Sequence, residues 1–452
     1  MSARRLLVPL ALAQFICSFA GSNMNVMIND ISQDLDTTVK GVQTTITLFL
    51  LIMAVLMIPG SKLTDRWGRK RCFLGGLVLY GIGALLSAAS PGLGVLILGN
   101  SVFEGVGTAL LIPPVYILAT MAFHETTSRA RAFGIISGAG GIGAAAGPLI
   151  GGLIATAISW RAAFVFQALI VATIVLLGRR LADPIAPDPT RSFDIIGALL
   201  SGAGMFFIVL GILQAGTNGT LLIVFLALGA VLLLLCGLHI RAEQRSGKEP
   251  LLSLSLFRNR TSNLGLVTQN IQWLLLMGIS FVVSVFLQTV RDFNSIQTGV
   301  VFTATTAGIL ISSLAAARLA ERHTQRMLIR TGFVVTIAGI GLLLGLALAS
   351  KDVVVFVPGL LTIGLGLGVM LTPSVNIVQS SFPEQQQGEI SGLSRSISNL
   401  GSSFGTAIAG TILVSDLAAG NRSYVLAMVT LAVFGLIGLV AALRLPAEPQ
   451  SR

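Results

Sequence analysis

Charge is scarce in this chain. Only 10% of its 452 residues are charged, against 54% that are hydrophobic. A water-solvated globule cannot hide that much apolar surface, so lipid is the implied solvent. Cysteine is scarcer still, with 3 residues. Cys17, Cys72 and Cys236 each lie in or beside an apolar run without CxxC spacing, which reads as small apolar filler rather than disulfide or metal chemistry. There is no phosphate-binding Gly-Lys-Ser/Thr loop, no nucleophile–base set and no metal-ligand cluster. Enzymatic and ATP-driven readings are therefore disfavoured, and no cofactor is expected. The formal charge of +11 would suit nucleic acid. Its cations, however, sit in short segments at alternate ends of apolar runs and form no stripe or tail, so no nucleic-acid partner is expected and membrane orientation explains the charge.

Long apolar runs are what the chain does have. A helical span needs roughly 20 mostly apolar residues. Fourteen candidates fit, near 6–29, 41–60, 72–90, 93–120, 132–157, 162–178, 195–215, 220–240, 264–289, 297–317, 327–349, 353–378, 390–414 and 423–443. The runs are long and lack period-two alternation, which favours helices over a barrel. Met1–Arg5 and the run after it read as a retained first span. With both termini on the cytoplasmic side, only Lys40, Arg161, Arg291, Lys351 and Arg422 of the 29 Lys and Arg fall outside. That asymmetry supports the topology in a multi-pass protein of the inner (cell) membrane.

The longer inside connections, with Pro184, Pro187 and Pro189 in the first, divide the chain into six, two and six spans. The expected architecture is all-α: a six-helix bundle over 1–180, two inserted helices with their linkers over 181–260, and a six-helix bundle over 261–452. The stretch Ser61-Lys62-Leu63-Thr64-Asp65-Arg66-Trp67-Gly68-Arg69-Lys70 is echoed at Ala317-Arg318-Leu319-Ala320-Glu321-Arg322 in the last bundle. Two copies of one bundle around a central route suit a transporter.

The loop carrying Asp65, Arg66, Gly68, Arg69 and Lys70 resembles the cytoplasmic signature of the major facilitator superfamily, with Ser61 in place of its first Gly. The resemblance implies a gate between rocking bundles; simple positive-inside anchoring is the alternative. In span five, Gly134, Gly143, Gly147, Pro148, Gly151 and Gly152 resemble the antiporter motif of the drug:proton antiporters of that superfamily. A face so bare lets helix backbones approach closely, and the proline bends the helix. Asn25-Val26, Ser159-Trp160-Arg161, Asp194-Ile195-Ile196-Gly197, Pro250-Leu251-Leu252 and Leu256-Phe257-Arg258-Asn259-Arg260 resemble recurring elements of the fourteen-span branch. The chain departs from that branch at Ala20, where an acid is usual, at Asn29, where a Pro is usual, and at Ser101, where an Arg is usual before the Gly matched by Gly105. The usual proton-coupling groups do not carry over.

Glu104 remains the one acid near a span centre. An ionised carboxylate at that depth costs about 2.5–3.5 kcal/mol on insertion-type scales. Glu104 is expected to exchange a proton, to meet a cationic substrate, or both in turn; a permanently protonated structural carboxyl is the alternative. His124, His239 and His323 lie at span ends and offer no help. Gln14, Ser18, Asn23 and Asn25 in span one, Asn270, Gln272 and Trp273 in span nine and Asn376 in span twelve are candidate cavity-lining residues, with interhelical bonding as the alternative. Arg395, near the inner end of span thirteen, is expected to snorkel to the cytoplasmic face. The resulting expectation is a monomeric secondary transporter in a lipid bilayer, exporting an apolar, cationic small molecule in exchange for protons by alternating access. A transporter of the same fold for a lipid or metabolite, uniporting or using another ion, is the second reading. A non-transporting receptor is the third, and no loop or tail of the chain is large enough for one.

Overall fold

The computed structural model describes residues 3–446 apart from 124–125, 180, 182–186, 188–192, 216–217, 249, 321, 350–351, 384–385 and 415–420. His124, Pro184, Pro189, Glu321 and Lys351 thus lie outside the described residues, as do the side chains of Asp65 and Arg318. The described chain is helical throughout, without a strand.

Fourteen long helices match the fourteen apolar runs. They are α1 (Ala3–Asn23), α2 (Val39–Trp67), α3 (Arg69–Ala88), α4 (begun by Leu93–Leu96 and Ile97–Glu104 and continued by Gly105–Ala122), α5 (Thr126–Ala157), α6 (Trp160–Gly178), α7 (Ile195–Gln214), α8 (Gly219–Arg245), α9 (Arg260–Thr289), α10 (Ser295–Ala320), α11 (Gln325–Ala349), α12 (Phe356–Gln379), α13 (Gln387–Val414) and α14 (Asn421–Leu443). Thirteen of these are long and apolar enough to cross a membrane. The exception is α13, where Ser391, Ser394, Ser396, Ser398, Ser402 and Ser403 dilute the apolar content. Those serines are not exposed to lipid. Ser394, Ser396, Ser398, Ser402 and Ser403 are all buried against neighbouring helices.

Local chemistry fixes the helix starts. Thr38, Ser159, Asp194, Asn218 and Asn259 each accept a backbone N–H from the first turn of the helix that follows, satisfying donors a helix leaves unpaired. Asp194 does more: its carboxylate also accepts from His239 Nε2 at 2.8 Å and from the Leu251 N–H at 3.1 Å. Burial alone would raise its pKa, but the Gly197 N–H, His239 and the Leu251 N–H together hold it below the usual carboxylate range.

Two boundaries differ from expectation. The basic stretch Ser61–Arg71 is not an extended loop. Helix α2 runs through Trp67, α3 begins at Arg69, and Gly68 at φ +94° makes the whole turn, a backbone angle that only glycine adopts freely. At the other end, α1 continues through a tight turn at Met24–Met27 into Ile28–Asp34, so the first span's helix runs about five residues past its expected end near 29.

Helix α2 packs along α13, and α5 along α10; each of these pairs joins the first six helices to the last six. Within the first six, α1 lies on α5, and α3 on α4 and α6. Within the last six, α9 lies on α13 and α14, and α12 on α10 and α11. Helix α7 straddles the α2–α13 seam: Val209 and Leu213 pack with Leu51 of α2 and Ala407 of α13, and Thr411 donates to the Ile212 carbonyl at 3.1 Å. Helix α8 packs chiefly on α7 and shows Ile223, Val224, Val231, Leu234, Leu235 and Leu238 outward, a face suited to lipid tails.

Candidate functional site

Helix α4 carries the central acid. Residues Ile97–Glu104 form a π-helical stretch before the α-helix resumes at Gly105. Such wider turns recur at functional sites. The widening is held by close backbone contact with α3. A Cβ on Gly83 would lie 2.6 Å from the Gly99 carbonyl oxygen, and one on Gly107 would lie 2.7 Å from that of Gly76. This approach brings Tyr80 and Ser87 of α3 toward the Glu104 carboxyl. Asn100, one turn earlier, donates to Glu104 Oε2 at 3.4 Å. Tyr80 donates to Gln167 Oε1 of α6 at 2.5 Å. Ser101 donates to the Thr45 carbonyl at 2.8 Å and pins α4 to α2.

Glu104 is fully buried. Its surroundings are neutral polar groups from α3 and α4, and among the described residues Glu104 Oε1, Asn100 Oδ1 and Gln167 Nε2 have no hydrogen-bond partner. The carboxyl thus sits inside the first six helices, not on the seam between the two sets. Its link toward the seam runs through α1. Thr108 bonds the Glu104 carbonyl at 2.8 Å, and Cys17 of α1 contacts Thr108 at 3.9 Å.

A second polar cluster lies about 18 Å further along α4, 12 residues on at 1.5 Å each. Tyr116 donates to Gln14 Oε1 of α1 at 3.2 Å, and Gln14 Nε2 donates to Ser18 Oγ at 3.2 Å. Arg395 of α13 crosses the seam and donates to the Tyr116 hydroxyl, with its guanidinium 4.8 Å from the ring centre. Arg395 therefore does not snorkel away from the protein. The tyrosine face and hydroxyl offer a cation better contacts than a simple run to the interface.

The other predicted residues separate. Asn23 is fully buried against Gly147 and Gly151 of α5, its amide without a partner among the described residues. The Asn25 carbonyl accepts from Ser284 and, at 2.9 Å, from Gln288 of α9. Asn270 bonds the Ile397 carbonyl at 2.9 Å and Gln272 the Leu367 carbonyl at 3.3 Å, so both join helices of the last six. Trp273 is partly buried against the core. Asn376 is exposed on α12, one turn after exposed Thr372. The predicted residues thus form no single ring; Gln14 and Ser18 meet Tyr116 and Arg395, and the rest lie elsewhere.

The glycines of α5 serve two seams. Gly143, Gly147 and Gly151 face Phe15, Phe19 and Asn23 of α1, whereas Gly152 faces Ser295 and Pro148 faces Gly299, both on α10. Gly134 lies on the same helix. Near the basic end an ion pair joins the two sets, Lys62 Nζ–Glu389 Oε1 at 2.7 Å. Arg66 is exposed, Arg69 is buried, and Lys70 is half-buried. Lys62 stood in the stretch singled out by charge, but its partner 327 residues away has no sequence signal. At the opposite end, Gln288 Oε1 accepts the Asn29 N–H at 2.9 Å, Ser295 donates to Asp30, and the Ile296 N–H bonds Thr156 Oγ1 at 3.1 Å.

Among the described residues the two sets of six helices meet along α2–α13 and α5–α10, through Arg395 and Tyr116, and at these end clasps. The family profile described as Major Facilitator Superfamily matches residues 10–406 and 271–452. The chain belongs to the Major Facilitator Superfamily. As a member it is a multi-pass membrane transporter and not an enzyme. The puromycin resistance protein pur8 of Streptomyces alboniger is 30% identical over 423 residues, covering 91% of this chain and 82% of that protein. The multidrug resistance protein Stp of Mycobacterium tuberculosis is 28% identical over 91% of this chain and 76% of its own. The riboflavin transporter RibZ of Clostridioides difficile is 26% identical, with 91% and 88% covered.

Proposed function

We propose that this major facilitator exports apolar, drug-type compounds from the cytoplasm in exchange for protons, as a fourteen-span antiporter. Rocking of residues 1–180 against 261–452 would alternate access, with 181–260 carried between them. The protein would act as a monomer in the inner membrane with both termini cytoplasmic. Two relatives named for antibiotic or multidrug resistance support the cargo class. Glu104 is the observation that carries the coupling: a fully buried carboxyl whose neighbours are neutral polar groups, on a span that also touches the seam. Its charge state must change when a proton is delivered or removed, and an anion unneutralised at that depth is costly, so protonation and the position of α4 are linked. Its placement within the first six helices favours the proton over a cationic cargo group as its partner. Asp65, Arg66, Gly68, Arg69 and Lys70 would steady the cytoplasmic gate beside Lys62, and the α5 glycines would set how closely the two sets dock.

The test is dye efflux from proteoliposomes with and without an imposed proton gradient, comparing the native protein with Glu104→Gln. The native protein should concentrate dye only with the gradient, and the variant should lose that dependence. Gradient-driven export unchanged in the variant would remove Glu104 from the coupling. A second reading, transport of a metabolite without protons, is favoured by Ala20 and Ser101 at positions where the drug:proton antiporters carry charge, and by the likeness to RibZ. Equal fluxes with and without a gradient would select it.

A further inference from the structure

We propose that Arg395, with Tyr116 and Gln14, is a cargo-binding subsite for the carboxylate of an acidic aromatic compound. The proposal rests on the export reading and adds a chemical class that Glu104 does not suggest.

Arg395 lies 8 residues into α13, about 12 Å from its start, and its side chain is half-buried. A guanidinium carries five N–H donors in a planar fork. Among the described residues its one hydrogen bond goes to the Tyr116 hydroxyl, and no carboxylate pairs with it. Lys62, the neighbouring cation on the same seam, is by contrast neutralised by Glu389. The Tyr116 ring lies against the guanidinium, and Gln14 Oε1 accepts the hydrogen bond of the Tyr116 hydroxyl. The fork is therefore oriented by neutral groups and left with donors and a charge to satisfy. A carboxylate fits that fork in a bidentate manner.

The surroundings leave space for the rest of such a ligand one turn beyond Ser18. Gln14, Ser18 and Gly21 follow one another on α1; Gln14 and Ser18 lie beside Gly140 of α5, and the open position is Gly21. Ser18 and Gly21 are half-buried, and a Cβ on Gly21 would meet nothing within 4 Å. On α12, Thr372 and Asn376 are exposed polar side chains at adjacent turns, which suits a water-filled vestibule better than lipid. An apolar ring system against α1, with its acid on Arg395, uses both features. Three helices from both sets of six contribute, so occupancy would also bear on the seam.

The experiment measures equilibrium binding to the purified full chain in nanodiscs of zwitterionic lipid, where no anionic headgroup competes. The probes are fluorescein, an anionic xanthene, and an esterified rhodamine, a cationic xanthene of similar shape. The native protein should bind fluorescein more tightly. Arg395→Gln should weaken fluorescein about ten- to hundredfold, the range for a hydrogen bond to a charged group, and leave the rhodamine within about twofold. Arg395→Lys keeps the charge, loses the fork, and should fall between. It carries the same test should the glutamine variant not fold. Unchanged fluorescein affinity in the variants, or equal weakening of both dyes, would overturn the subsite. Binding needs no gradient, so gradient-driven efflux failing while selective binding persists would sink the export reading alone.

Discussion

Replacing Gly152 with alanine should open the end of the molecule that carries Asp30. Gly152 on α5 and Gly299 on α10 face each other's helices reciprocally. A Cβ on Gly152 would lie 2.8 Å from the Ser295 carbonyl carbon, and one on Gly299 would lie 3.0 Å from that of Pro148. Ordinary contact begins near 3.4 Å, so the backbones must part by at least about half an ångström, and two packed backbones do not yield like a flexible side chain. Such overpacking costs about 1–3 kcal/mol. The gain in helix propensity from Gly to Ala, up to about 1 kcal/mol, applies in every conformation and cancels. The penalty falls only on the state in which α5 and α10 touch, so that state should lose about five- to 150-fold in population. Spin labels at Gln33 and Gln297, both exposed at that end, would report it as a longer distance. Gly138→Ala is the control, since a Cβ there meets nothing within 4 Å. A folded Gly152→Ala protein with the native distance distribution would refute the reasoning.

Three further outcomes follow from the geometry. Asp194→Asn should lower thermal stability by about 1–2 kcal/mol, within the range for donors left short of an acceptor, because an amide keeps one of the two oxygens that serve the Gly197 N–H, His239 and the Leu251 N–H; melting would show it. Because the folded pKa of Asp194 is depressed, its stabilisation should be complete above the unfolded value near 3.8 and fade as pH falls through the lower folded value, so the native protein and Asp194→Asn should converge in strong acid. For the Lys62–Glu389 pair, about a quarter exposed on each side, a double-mutant cycle on melting should give a coupling of no more than about 1 kcal/mol; a much larger value would mean that the pair is more than a surface contact.

Much of the helix layout was legible because lipid demands long apolar runs. The turn at Gly68 was not, because the charges of Ser61–Arg71 read as a loop while the helices run to Trp67 and from Arg69. Helix α13 shows the limit: its serines weaken the apolar signal, yet Ser396 and Ser403 bond the Ala54 and Thr47 carbonyls of α2, a partner no local pattern reveals. The acid at position 104 was legible from its depth. The direction it faces was not, because the π-helical stretch turns it toward α3 and no residue type signals that widening. Arg395 was misjudged for a related reason. Snorkelling is the default for a lone arginine near a span end, and only the fold places Tyr116 within reach.

Helix α7 has a consequence for compounds that dissolve in the bilayer. By lying across α2 and α13, it plugs one flank of the protein with Val209 and Leu213, while no comparable helix packs across α5 and α10 among the described residues. The molecule therefore has a shuttered side and an unshuttered one. A solute diffusing in the leaflet meets a wall from one direction and a bare joint from the other, so the likelihood of capture depends on the side from which it arrives.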